Sequence, residues 1–243
     1  MNRTILAIDC SQRRSVIAVA RGPMVYERAF EPTQDHTREA FWDELRELCE
    51  AAGVQSWEFE AVAVATGPGG FTGLRIAIAF AKSFALASEL PVIALGSAEI
   101  FAASDAVRRG GGPWLVALAS KSGTAWCSRV TQTVEGDFDA QPGEVLDAAA
   151  FLPRLSAVAA AGGTLLCDEH LDPALAAAAK QSGVAVRPIS CDPCALAALA
   201  HAALRRGRTV DAFALAPIYP REPEAVTKWR ERHGGGSGAS GGA

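Results

Sequence analysis

The sequence predicts an α/β fold of two tandem units, each a mixed sheet flanked by helices. Three observations carry this. Short apolar runs alternate with segments of helical periodicity, the order of those elements occurs twice, and a Gly110-Gly111-Gly112-Pro113 break separates the two occurrences. Hydrophobic residues make up 49% of the 243 positions, so the chain can bury a sizeable core.

In the first unit, Ile5–Cys10 is an apolar run that carries Asp9 near its end, and Val16–Ala20 is a second run. Gly22-Pro23 marks a turn before a third strand, Val25–Phe30. A helix is predicted from Thr37 to about Ala52, with Phe41, Leu45, Leu48, Cys49 and Ala52 at helical spacing and Gly53 placed to end it. Ala61–Ala65 reads as a strand, Gly67–Gly73 as a glycine-rich loop, and Gly73 to about Ser88 as a second helix. Val92–Leu95 is a further strand, and a third helix runs from Ser97 towards Arg108.

The second unit repeats that order. Trp114–Ala119 is a strand, Lys121-Ser122-Gly123 a tight turn and Thr124–Thr131 the return strand. A helical stretch covers about Val145 to Ala160. Gly163–Cys167 and Val184–Ile189 are strands, and Pro173–Gln181 and Pro193–Arg206 are helices, the last opened by a proline where a first-turn proline is tolerated. Each unit occupies roughly a hundred residues. The boundaries are therefore set at 1–109 and 110–223, with a tail at 224–243. Residues 234–243 are Gly, Ser and Ala only and cannot bury apolar area to offset ordering entropy, so the tail is expected to be mostly disordered. Two such units form the architecture of the actin, sugar-kinase and chaperone ATPase superfamily, also described as ribonuclease-H-like.

A formal net charge of −4 argues against a surface that grips nucleic-acid phosphates on its own. Arg205, Arg206 and Arg208 form a local basic group, read as the solvated end of a helix. No apolar run reaches transmembrane length unbroken, and Met1–Ile8 lacks the layout of a secretion signal, so a cytoplasmic location without membrane contact is expected. The six cysteines then read as small hydrophobes rather than a disulfide framework.

The segment Gly67, Pro68, Gly69, Gly70, Phe71, Thr72, Gly73 lies between a strand and a helix, where backbone N–H groups can face an anion. It lacks the Gly-Lys-Ser/Thr ending of a P-loop and the third glycine of a dinucleotide fingerprint. Two readings stay open: an anion loop, or a tight turn that lets helix and sheet pack closely. Phosphoryl transfer on an actin-like fold needs carboxylates that hold Mg²⁺ and phosphate loops from both units. Asp9, with Ser11, supplies one candidate, a vestigial phosphate site, whereas Ala119–Gly123 contains no carboxylate. Cys191-Asp192-Pro193-Cys194 has redox or zinc spacing but neither the position nor the companion ligands those uses require. His36, His170, His201 and His233 form no helical pair, so no metal and no cofactor is expected.

The stretch Gly67-Pro-Gly-Gly-Phe-Thr-Gly-Leu-Arg75 resembles the GPGSFTGLRIG segment of the TsaB (YeaZ) family and its paralogue TsaD. Ile5-Leu-Ala-Ile-Asp-Cys-Ser11, His36-Thr37, Pro91–Ser97 and Pro217-Ile-Tyr-Pro-Arg221 resemble further segments of that family. The resemblance runs from about Thr4 to Ala103 and is thin afterwards. Gly70 and Ala77 depart from the family's serine and glycine. Ala119–Trp126 lacks the Asp and Glu usual on that hairpin.

What the resemblance implies is a non-catalytic subunit. It supports threonylcarbamoyl transfer to the adenosine beside the anticodon of tRNA by pairing with and activating a TsaD-like subunit. A TsaE-like ATPase subunit assists, tRNA is met only through the complex, and the subunit forms a homodimer when alone. In that family the two N-terminal helices form the pairing surface. Independently, the helix from Gly73 has an apolar arc roughly twice the ~100° of a surface helix, and its only charged residues from Leu74 to Ala87, Arg75 and Lys82, share one stripe. Candidate interface residues are Phe41, Trp42, Leu45, Leu74, Arg75, Ile78 and Lys82. An actin-fold ATPase and a homodimer with no tRNA role are the alternatives.

Overall fold

The computed structural model describes residues 3–31 and 37–220, together with Trp229. His36, His233, Arg221 and the predicted tail apart from Trp229 lie outside the described residues, as do the side chains of Thr37 and Arg38.

The first sheet begins as an antiparallel meander of β1 (Thr4–Asp9), β2 (Ser15–Arg21) and β3 (Met24–Phe30). It continues through β4 (Ala61–Gly67) and β5 (Val92–Gly96), which run parallel to β1, in the order β3-β2-β1-β4-β5. Every residue of β1 and β4 is buried. Both faces of this sheet are covered, so its strands read as continuous apolar runs rather than alternating ones.

The strand period of two sorts the buried residues by face. Leu6, Ile8, Val62 and Val64 pack under α1 (Thr37–Ala52) and α2 (Phe71–Ser88), with Phe41, Leu48 and Ile78. Ile5, Ala7, Ala63 and Ile93 face the other way, into a core shared with α3 (Ser97–Arg109) and α6 (Pro193–Arg205).

The second sheet contains β6 (Trp114–Ala119), β7 (Ala125–Gln132), β8 (Phe138–Ala140), β10 (Thr164–Cys167) and β11 (Ala185–Pro188), in the order β11-β10-β6-β7-β8. A short β9 (Glu144–Leu146) also pairs with β7. Helices α4 (Ala148–Ala160) and α5 (Pro173–Gln181) cover its outer face with Phe151, Leu155 and Leu175. Its inner face, with Trp114 and Val116, meets the same α3–α6 layer. The molecule is a mixed α/β fold of two mixed sheets flanked by helices, with one helix layer between the sheets.

Polar contacts fix α3 to the second sheet. Asp105 accepts from Trp114 Nε1 at 2.9 Å and from an Arg187 guanidinium nitrogen at 2.7 Å. Ser104 Oγ accepts from Asp192 N at 2.8 Å.

Three predicted elements need correction. The helix expected from Val145 starts at Ala148, because Glu144–Leu146 pairs with β7 and the Asp147 carboxylate accepts from Ala150 N as the helix cap. The second helix starts at Phe71, two residues before Gly73. The arginines after α6 are not merely solvated: Arg206 pairs with Asp137 and Arg208 with Glu99.

Candidate functional site

Helices α1 and α2 enclose an aromatic groove. The Phe80 ring centroid lies 5.3 Å from both Phe41 and Trp42 and 5.5 Å from Phe84, which in turn lies 5.7 Å from Phe59. The Phe80–Phe84 pair is stacked and the others are edge-to-face, and both arrangements add to plain area burial. The cavity above them is about 1120 Å³, lined among others by Trp42, Leu45, Ile76 and Phe84. Trp42 keeps 50% of its surface exposed. On the outward side of α2 the exposed residues Ala79 and Ser83 are small.

Of the candidate interface residues, Phe41, Leu45, Leu74 and Ile78 are buried; Phe41 and Leu45 still line the groove, whereas Leu74 and Ile78 lie in the chain's own core away from it, which corrects their place among the candidates. Leu74 and Ile78 belong to the stripe of α2 that meets the sheet, and the groove side carries Ile76, Phe80 and Phe84.

The two charges of α2 hold a C-terminal strap, residues 209–220. Lys82 Nζ donates to the carbonyl oxygens of Phe213 and Leu215 at 3.1 and 3.2 Å. Arg75 Nε donates to the Tyr219 hydroxyl at 3.0 Å, with its guanidinium 3.8 Å from the Phe71 ring centre. Ile218 N donates to Thr66 O at 2.7 Å, and Leu215 is buried. Nothing in the hydrophobic pattern of this irregular strap marks it, and its signal would have been the lone lysine in an apolar helix.

The glycine-rich loop packs as the tight turn. A Cβ on Gly69 would strike the Ser11 backbone, and one on Gly73 the Cys10 carbonyl. Gly70 N donates to Ser11 O at 2.7 Å. Two of these glycines therefore let the start of α2 lie directly against the β1–β2 turn.

Between the sheets lies a larger cleft of about 1890 Å³, with Ser11, Gly69, Gly70, Ala119, Ser122, Asp168 and Cys191 among its walls. Asp9 stands beneath it, fully buried. Its Oδ1 accepts from Ser11 N at 2.9 Å, while Oδ2 has no hydrogen-bond partner, nor does Ser11 Oγ. Burial raises the Asp9 pKa, and the neighbouring Ser11 and Cys191 groups offset this only in part.

The β6–β7 turn contains no carboxylate, as expected, but Asp168 reaches it from the end of β10. Its two oxygens accept from Ala119 N at 2.7 Å and His170 N at 2.9 Å. Sequence reasoning missed this residue, although the carboxyl end of a parallel strand is where such sheets place their sites. Both its oxygens are committed to backbone, so it acts as a loop clamp.

Burial pushes the Cys191 thiol well above its usual value, with Asp9 adding to the effect, and Cys194 is raised too. Redox and zinc thiols need the opposite shift. The Asp192 carboxylate caps α6 by accepting from Cys194 N and Ala195 N. Among the described residues no group of three or more His, Cys, Asp or Glu could hold a metal ion. Helix α2 is the one described helix long and apolar enough to cross a membrane, and its Leu74–Ala85 stripe is packed on the sheet.

A family model described as TsaD, tRNA N6-adenosine threonylcarbamoyltransferase, matches residues 31–161, more than half of the chain. The chain belongs to this family. The resemblance to TsaB (YeaZ) proteins also stands. The tRNA threonylcarbamoyladenosine biosynthesis protein TsaB of Buchnera aphidicola is 29% identical over 102 residues, 42% of this chain and 48% of the relative. The Escherichia coli K12 TsaB is 26% identical over 132 residues, 54% of this chain and 57% of the relative. The Bacillus subtilis 168 TsaB is 30% identical over 101 residues, 42% and 44%. The chain thus spans about half the length of the curated relatives it matches. The structure of YeaZ from Pseudomonas aeruginosa superposes with a TM-score of 0.72 at 22% identity, covering 89% of this chain and 99% of that one, which shows a shared fold.

Proposed function

We propose that this chain is a non-catalytic subunit of the machinery that makes threonylcarbamoyladenosine in tRNA. It pairs through α1 and α2 with a TsaD-like subunit and activates it. The observation that carries this reading is the aromatic α1–α2 groove with a half-exposed Trp42 at its edge, in the part of the chain that matches the TsaD family. An apolar surface of this kind on a folded chain marks a contact site. The role of the TsaB relatives in tRNA threonylcarbamoyladenosine biosynthesis supplies the reaction.

In this reading the two sheets are tandem actin-like units, 1–109 and 110–223, and the second is degenerate. Asp9 and Ser11 are a vestigial phosphate site: the Asp9 carboxyl is desolvated, and Asp168, a carboxylate of the cleft wall beside the β6–β7 turn, is spent on backbone. No metal or cofactor is needed. A TsaE-like ATPase subunit assists, tRNA is met through the complex, and the work is done in the cytoplasm, with self-pairing when the partner is missing.

The test is reconstitution with tRNA, threonine, bicarbonate, ATP and the enzyme that makes the activated intermediate. Modified adenosine is expected only when a TsaD-like subunit is present, at a higher rate with this chain than without it. Product formed without the TsaD-like subunit would overturn the non-catalytic assignment, and an unchanged rate would overturn activation.

A further inference from the structure

Exposed large apolar side chains concentrate around α2. On one flank stands Trp42 of α1, 50% exposed; on the other are Phe71 and Leu86 of α2 itself with Phe213, Ile218 and Tyr219 of the strap, between 37% and 73% exposed. The wheel of α2 explains the division. Phe71, Arg75, Lys82 and Leu86 share one flank, Ile76, Phe80 and Phe84 the other, and the small exposed residues Ala79 and Ser83 lie between them. A low ridge is thus walled on both sides by exposed aromatic rings.

The strap wall is held in place. An ammonium normally sought by carboxylates is committed instead to two strap carbonyls, and Arg75 anchors Tyr219. Phe213 is 73% exposed although its own carbonyl is one of those anchored by Lys82. A large aromatic fixed by its backbone and left open to water loses little conformational freedom when it is covered.

We propose that the strap, through Phe213 and its neighbours, is a third element of the partner surface, so that a TsaD-like chain is gripped between α1 and the strap across the α2 ridge. The proposal rests on the α1–α2 pairing above. The occupant follows from the family match: residues 31–161 contain both helices, so a chain of the same family can present a similar helix pair, and Ala79 and Ser83 leave room for its close approach.

The experiment compares Phe213→Ser, Trp42→Ser, Lys82→Met and the remote control Leu152→Ser in the full chain. Titration calorimetry measures binding to the TsaD-like subunit of the same organism, and sedimentation measures self-association. Phe213→Ser and Trp42→Ser should each weaken binding about tenfold or more. Lys82→Met should do likewise and speed amide hydrogen exchange in residues 213–219, and Leu152→Ser should change nothing. If Trp42→Ser weakens binding while Phe213→Ser stays within about twofold, the strap is no part of the surface and the α1–α2 reading survives. If neither matters, both fail. If Phe213→Ser disrupts only self-association, the strap serves a second copy and the assigned occupant is wrong.

Discussion

At the residue scale, Asp9 is a costly group to bury. A carboxyl with one unpartnered oxygen, wholly removed from water, favours its neutral form, and its pKa is raised above 3.8. The folded state then binds more protons than the unfolded state as pH climbs above that value. The neutral carboxyl therefore favours folding at low pH, and that benefit is lost as pH rises through the folded pKa. Asp9→Asn keeps the oxygen that accepts from Ser11 N and removes the ionisable group. We expect this variant to be more stable than the parent at pH 8, by about 1 kcal/mol or roughly 2–4 °C in Tm. The advantage should shrink as pH falls towards 4. Thermal melts at several pH values check this, and a stability difference that is constant with pH would refute it.

At the element scale, α2 shows what a helical wheel can and cannot decide. Its wide apolar arc is legible because two separate surfaces, the sheet and the α1 groove, draw on it. Which side faces the sheet is not legible, since Leu74 with Ile78 and Ile76 with Phe80 are equally apolar pairs. Leu74→Asp with Ile78→Asp should leave an unfolded chain, because charge would enter a fully packed layer. Trp42→Asp should leave the helical circular dichroism signal intact. A folded double variant would mean that the stripe assignment is reversed. Helices with clear caps, such as Pro173–Gln181 after Asp172, emerge from the sequence at the right residues. The three-residue β8 and β9 do not, because each depends on pairing with β7 rather than on its own pattern. The candidate site divides in the same way. The glycine loop and Asp9 are marked by local chemistry, whereas Asp168 and the strap act through partners far away in sequence.

At the scale of the whole molecule, the α3–α6 layer makes the two sheets interdependent. Leu196, Leu199, Ala200 and Ala203 of α6 share a core with Ile5, Ala7, Ala63 and Ile93 of the first sheet. Meanwhile α3, which follows that sheet in the chain, is tied by Asp105 and Ser104 to the second sheet and the β11–α6 loop. A fragment ending at Gly112 would leave the inner face of its own sheet without α6. We expect such a fragment to melt without a cooperative transition and to bind more of a hydrophobic dye than the full chain does. A sharp calorimetric transition from the fragment would show that the unit stands alone.

The same shared layer sets a timetable for the newborn chain. The first sheet is complete once β5 has been made, but α6, which closes it, is translated only roughly a hundred residues later, a delay of roughly 5–20 s at ordinary synthesis rates. During that interval Ile5 and Ala7 of β1, on the part of the face that α6 covers, meet the crowded surroundings of the ribosome, and holding chaperones have their opportunity there.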